Sequence, residues 1–319
     1  MNKILVTDSL FIKDHHVKKL EGAGFEVERL DKPCATEEEL IESVKGKVGY
    51  ILGGVEKVTE NVINSAGDLR AIVFSGTGWD GFITAHELAT QKGIAIGAAP
   101  HLNAHAVAEF AIAMSLLMCR DMIDLARGGK KTFETTKSLS ELSIGIVGMG
   151  FVGQEYLKMA KGMGAQNIFY FNRTRNQEIE KEFGISYLDK NELFKTCQIV
   201  YVALSIGPGK AFINAENINS LANDSILVST SDPLLFDLET LYKRLNAGEI
   251  RAAFDENIKE GNFRDLPLGV WYTPNESSAF NTGQTIEEVS DSCVQTLINI
   301  LKTGDDKYLM NPDYKKFIK

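Results

Sequence analysis

Cysteine is scarce: Cys34, Cys119, Cys197 and Cys293 are the four in 319 residues, and no two stand at a paired spacing. That scatter excludes a disulfide framework and a cysteine-based metal site. No metal is expected, and the thiols read as small buried residues of a reducing, cytoplasmic compartment. Excess positive charge is lacking too. Against 43 Asp and Glu stand 34 Lys and Arg, a net charge of −9 that argues against a nucleic-acid partner. Apolar runs are short; the longest, around Phe110 to Cys119, falls well below the ~20 residues a membrane helix needs, so no membrane partner is expected. The opening Met1-Asn2-Lys3-Ile4-Leu5-Val6-Thr7-Asp8 meets an acid too early for a signal-peptide core. Internal repeats and low-complexity segments are missing as well. What remains is an ordinary globular composition, 44% hydrophobic and 24% charged, long enough for two domains.

The most informative stretch is Ser143 to Gly153, where a short apolar strand runs into Gly148-x-Gly150-x-x-Gly153 and then a helical segment to Met163. Gly148 permits a tight turn, Gly150 lets backbone approach a pyrophosphate, and Gly153 lets helix and strand pack closely. Asn167 to Phe171 reads as the returning strand that completes such a unit. It ends in Asn172-Arg173-Thr174-Arg175. An acid at Asn172 would accept hydrogen bonds from a ribose 2′-hydroxyl and repel a 2′-phosphate; the amide does not repel it. Arg173 and Arg175 offer planar cationic forks for that phosphate and Thr174 a further donor, so NADP(H) is preferred over NAD(H).

Ahead of this unit, Ile4–Thr7, Phe25–Glu28, Tyr50–Leu52, Ala71–Phe74 and Ile94–Ile96 read as strands separated by helices. Thr36 and Glu39 have the spacing of a capping box, and Thr59 precedes another amphipathic run. The alternation implies an open α/β sheet over residues 1 to about 100. Asn103 to Arg127 reads as one long apolar helix ended by Gly128-Gly129. Beyond Arg175, a helix capped by Asp189 leads to the strand Ile199–Leu204. Ser225–Ser229, Ile250–Phe254 and Trp271–Thr273 are further strands, with a helix entered near Asp237. Thr285 to Thr303 is the final helix, with Ile286, Val289, Cys293, Leu297 and Leu301 on one face. His15, His16 and His86 read as surface or capping residues.

At this point the chain resembles the D-isomer-specific 2-hydroxyacid dehydrogenases over nearly its whole length. The resemblance rests on Ala71 to Asp80, on Gly93-Ile94 through Ala106-Val107-Ala108-Glu109-Phe110, and on the glycine turn. It continues in Ser225 to Ser231, in Ala252-Ala253-Phe254-Asp255 and in Thr273-Pro274. It implies two Rossmann-like or flavodoxin-like doubly wound parallel-sheet domains with a cleft between them. Residues 1–101 with 285–319 would form a discontinuous catalytic domain, and 102–284 the dinucleotide-binding domain. A homodimer built on the nucleotide domains through the Asn103–Arg127 helix is implied as well. Gly148, Gly150, Phe151, Val152, Gly153, Leu204, Thr230, Ser231 and Asp255 then fall at cofactor-binding positions, beside the four residues from Asn172 to Arg175. Backbone at Gly76, Thr77 and Gly78 borders the substrate.

Family members use an Arg for the substrate carboxylate, a His as proton donor and a Glu that orients the His. Here Asp232 falls at the Arg, Asn275 at the His, and Glu260 at the Glu. Loss of a guanidinium removes charge-assisted hydrogen bonds of roughly 1.5–3 kcal/mol, and an aspartate there repels a carboxylate. Asn275 cannot titrate, so general acid catalysis, typically worth about 10²–10⁴-fold, must come from elsewhere or be absent. His101 and His105 are the candidate substitutes. Two functions follow. One is an NADPH-dependent reductase of a small substrate that is not a simple 2-keto acid, such as an amino ketone or imine, with Asp232 as counter-ion. The other is an inactive cofactor-binding homologue working as a sensor or partner subunit.

Overall fold

The computed structural model describes residues 2–7, 11–32, 34–129, 135–204, 211–256, 258 and 262–318; Glu260 lies outside them. The chain divides into two compact units, residues 1–103 with 282–319, and residues 104–281. The first opens with strand β1 (Asn2–Thr7), helix α1 (Asp14–Gly22), β2 (Phe25–Leu30), α2 (Glu37–Ser43) and β3 (Lys47–Leu52). It continues with α3 (Glu60–Ser65), β4 (Ala71–Phe74), α4 (Trp79–Phe82), α5 (His86–Gln91) and β5 (Ala95–Gly97). The second holds α6 (Ala104–Cys119), α7 (Met122–Ala126), β6 (Ile144–Val147), α8 (Phe151–Gly162), β7 (Ile168–Phe171), α9 (Gln177–Phe183) and β8 (Ser186–Tyr187). Its later part is α10 (Lys190–Thr196), β9 (Ile199–Val202), α11 (Ala215–Ser220), β10 (Ile226–Ser229), α12 (Leu238–Asn246), β11 (Arg251–Phe254) and β12 (Trp271–Tyr272). Helix α13 (Gly283–Thr303) returns the chain to the first unit. No helix among the described residues is long and apolar enough to cross a membrane.

Both sheets are parallel, with strand order β2-β1-β3-β4-β5 in the first unit and β12-β11-β10-β9-β6-β7-β8 in the second. The first is the flavodoxin-like order and the second the Rossmann order extended by one strand, each reversing direction at one switch point. Strands buried on both faces account for the near-continuous apolar runs: all four residues of β4, β6, β9 and β10 are buried. In the first unit α13 lays Val289, Cys293, Val294, Leu297 and Ile300 into the core. It can do so because β5 ends in a glycine: a Cβ at Gly97 would lie 2.7 Å from Thr296 Cγ2.

The helix starts follow local chemistry. Thr36 Oγ1 accepts the Glu39 amide at 3.3 Å while the Glu39 carboxylate accepts the Thr36 amide at 3.0 Å, the reciprocal capping box. Asp189 and Asp237 accept the amides of Glu192 and Thr240. The single long helix expected over Asn103–Arg127 is corrected. It breaks after Cys119, where Asp121 adopts a left-handed φ of 50°, and a short α7 follows. Arg251, the first residue of β11, explains the break. Its guanidinium donates to Met118 O at 2.7 Å and to the Asp121 carboxylate, so it takes a carbonyl the helix would have used. Of the histidines that read as surface or capping residues, His16 is a capping one: its ring is buried, and Nδ1 accepts the Lys13 amide at 3.0 Å as part of the α1 cap.

Candidate cofactor and substrate site

Register decides which residues meet at the carboxyl edge of the second sheet. Val147 is level with Phe171 on one side and Val202 on the other; Val202 is level with Ser229, and Ser229 with Phe254. The next residue of each strand, Gly148, Asn172, Ala203, Thr230 and Asp255, therefore emerges along one edge. This is where an open α/β sheet binds ligands, and Gly148 stands at the switch point between β6 and β9.

The three glycines of the turn have separable roles. Gly148 has φ +100°, and a Cβ there would lie 2.4 Å from Ala203 O. At Gly153 a Cβ would lie 2.0 Å from Gly148 O. At Gly150, by contrast, a Cβ meets nothing within 4 Å. The turn is thus closed by backbone on the sheet side and open at its middle glycine. Gly150 is also the N-cap of α8 and supplies no side-chain acceptor, which leaves the positive end of a twelve-residue helix to an outside anion. Gln154 Nε2 donates to Met149 O at 3.2 Å and Asn172 Oδ1 lies 3.5 Å from Met149 N, two side chains bracing the turn. Val152, on the first turn of α8, packs against the core beneath it, while Phe151 is exposed. These features fit a dinucleotide pyrophosphate.

Beyond Asn172, whose Nδ2 donates to Thr174 O at 3.2 Å, the two arginines differ. Arg175 is engaged: Nε and one terminal nitrogen donate to the two oxygens of Glu180 at 2.8 and 2.7 Å. The Arg175 guanidinium holds the Glu180 carboxyl down at about 2, with the Tyr170 hydroxyl assisting. Arg173 and Thr174 are exposed, and Arg173 makes no ion pair among the described residues. Along the same edge, Ser231 Oγ donates to Val202 O and accepts the Leu204 amide at 2.7 Å, while Thr230 Oγ1 meets Tyr201 OH at 2.8 Å. These bonds lock the ends of β9 and β10 together.

The remaining candidate site residues are tied into local structure. Asp232 Oδ1 accepts the Leu234 amide at 2.8 Å and caps the 3₁₀ turn Pro233–Leu235. Asp255 is buried, and both its oxygens hold the loop after β12: Ser277 Oγ at 2.6 Å, Ser278 N at 2.8 Å and Ala279 N at 3.1 Å. Asn275 is an exposed residue of that loop. His105, in the first turn of α6, places Nδ1 3.1 Å from Glu155 of α8. Lys158 and then His105 keep that carboxyl below its ordinary range. In the first unit, Gly76, Thr77 and His101 come together: Thr77 Oγ1 accepts the His101 amide at 3.3 Å, and Gly76 O accepts the Ala99 amide at 3.1 Å. Thr77 and Gly78 are exposed, and desolvation lowers the His101 pKa, which favours its neutral ring. The loop anchor at Asp255 escapes sequence reasoning because Ser277, Ser278 and Ala279 are brought to it only by the fold, and the brace from Gln154 to Met149, five residues away, carries no sequence signature.

A Rossmann-ordered sheet with a glycine turn at its switch point defines the second unit as an NAD-binding domain. Residues 112–276, over half of the chain, match the D-isomer specific 2-hydroxyacid dehydrogenase NAD binding domain, and the chain belongs to that family. It is 31% identical to D-3-phosphoglycerate dehydrogenase of Methanocaldococcus jannaschii over 89% of its length, and spans 55% of that protein. It is 27% identical to glyoxylate reductase of Thermococcus litoralis, with 98% of this chain and 97% of the other covered. In fold it matches the NAD+-bound 3-phosphoglycerate dehydrogenase of Entamoeba histolytica, with a TM-score of 0.81 at 22% identity over 97% of this chain and 98% of the other.

Proposed function

We propose that this chain is an NADP(H)-dependent oxidoreductase that reduces the C=N or C=O of a small substrate other than a simple 2-keto acid. The observation that carries the reading is Gly150: the turn around it is sterically fixed at Gly148 and Gly153 and open only there. Gly148 to Gly153 would hold the pyrophosphate by backbone N–H groups, Arg173 and Thr174 the 2′-phosphate, and Leu204, Thr230 and Ser231 the nicotinamide half. When bound, the cofactor supplies a hydride.

Asp232 keeps one oxygen for the Leu234 amide, and its negative charge disfavours a carboxylate and favours a cationic group. Asn275 orients by hydrogen bonding without titrating. Both replacements suit a protonated imine. Such a carbon needs a hydride and no proton, so the missing acid costs nothing, and its positive charge finds a counter-ion in Asp232. The competing reading, an inactive cofactor-binding homologue, is favoured by one observation: the cap Asp232 gives to Pro233–Leu235 explains its presence without any substrate. The exposed Met122 and Leu125 of α7 support a homodimer through the nucleotide unit, to be checked by light scattering.

Fluorescence titration with NADPH and NADH tests the cofactor assignment. Arg173→Ala is expected to weaken NADPH by at least about tenfold and leave NADH unchanged, the loss of one charge-assisted contact. Turnover is then read with pyruvate-like acids, amino ketones and cyclic imines. Oxidation of NADPH by imines or amino ketones alone supports the reading. Rapid reduction of 2-keto acids overturns it, and tight binding with no turnover of any candidate decides for the inactive homologue.

A further inference from the structure

We propose that His15, His16, Glu287 and Asp291 form a binding site for a divalent transition-metal ion that ties α1 to α13 within the first unit. Their donor atoms all lie within 4.8 Å of one another. Glu287 and Asp291 stand four residues apart on α13, so they share one helix face, and the two histidines occupy the first turns of α1.

The second observation is His16. Its side chain is fully buried and its Nε2 has no hydrogen-bond partner among the described residues, yet that nitrogen lies 3.4 Å from Glu287 Oε1 and 3.3 Å from Asp291 Oδ1. Neither contact is a hydrogen bond, but both match the edge of a tetrahedron. With metal–donor bonds of about 2.0–2.2 Å, neighbouring ligands stand about 3.3–3.6 Å apart. His15 Nε2 meets the same Glu287 oxygen. Two imidazoles and two carboxylates suit zinc or its first-row neighbours better than magnesium or calcium, which prefer all-oxygen sets.

Two features compete with the ion. Lys13 pairs with Glu287 at 2.9 Å and Lys19 pairs with Asp291, but both lysines are half-exposed and such surface pairs are weak. His16 Nδ1 accepts the Lys13 amide, so the neutral ring carries its proton on Nε2. Metal binding shifts that proton to Nδ1 and gives up the cap bond. The scattered cysteines gave no hint of this site, because it uses none of them.

The test is calorimetric titration of the chelator-treated full chain with zinc chloride, with magnesium chloride as control. The expected result is one zinc ion per chain at low-micromolar affinity or tighter, a raised thermal midpoint, and no heat from magnesium. Asp291→Asn and His15→Ala, both surface changes that keep the fold, are each expected to weaken zinc by at least about tenfold. Zinc binding weaker than about 1 mM, or unchanged in the Asp291→Asn/His15→Ala double variant, overturns the proposal.

Discussion

The two sheets treat their switch points in opposite ways. In the first unit, where β1 and β3 adjoin, Thr7, Tyr50 and Glu56 fill the interior: Tyr50 OH lies 3.2 Å from Thr7 Oγ1 and donates to Glu56 Oε1 at 3.1 Å. In the second, between β6 and β9, Gly148 and Gly150 withhold side chains, and Gly150 faces open space. Both architectures offer a crevice at this place, but among the described residues only the second leaves the space beside its turn glycine unfilled. A ligand site here is a matter of which side chains are omitted, and the fold class alone does not supply it.

The largest effect should come from closing the vacant turn from beneath. A Cβ in Gly153→Ala starts 2.0 Å from Gly148 O, so α8 and β6 must part. The expected cost is about 3 kcal/mol of stability together with loss of NADPH binding, read by thermal denaturation and titration. Next is the filled switch point. Tyr50→Phe removes the one donor to Glu56 among the described residues, where Oε2 already has no partner, and leaves a buried carboxyl unsatisfied. A cost of about 1–3 kcal/mol is expected, with NADPH affinity unchanged. A fall in that affinity would show that the two crevices are not independent.

The smallest effect concerns pH. Each unit carries one carboxyl held at about 2: Glu180 by the Arg175 guanidinium and Glu287 by Lys13 and then His15. A depressed folded-state pKa means that each pair stabilises fully above the ordinary glutamate range, near 4.5. That contribution is lost as pH falls through about 2. Arg175→Met is expected to return Glu180 toward the ordinary range and leave Glu287 where it is, as read by carboxyl NMR titration.

The glycine turn, the caps at Thr36, Asp189 and Asp237, and the alternation of strands and helices were legible because each is set by residues close in sequence. Other features were not. Strand β8 is two residues at a sheet edge, too short for any periodicity to mark it. The break at Asp121 carries no Gly or Pro; Arg251, 130 residues away, makes it. Asp232 read as a charge inversion, yet the residue after it is a proline, and Asp-Pro ahead of an apolar pair is also a cap for the turn that follows. Arg175 reads as a phosphate ligand, but its guanidinium already donates to both oxygens of Glu180, one turn into α9, whereas Arg173 makes no ion pair among the described residues.

Gly150→Ala tests the central claim most directly. Its φ of −78° suits alanine and the added carbon meets no atom of the described residues within 4 Å, so the thermal midpoint should not move. NADPH affinity, measured by fluorescence titration, should fall by at least about tenfold because the methyl group occupies the space a pyrophosphate needs. Unchanged affinity in a protein of unchanged stability would contradict the claim that a dinucleotide lies across this turn.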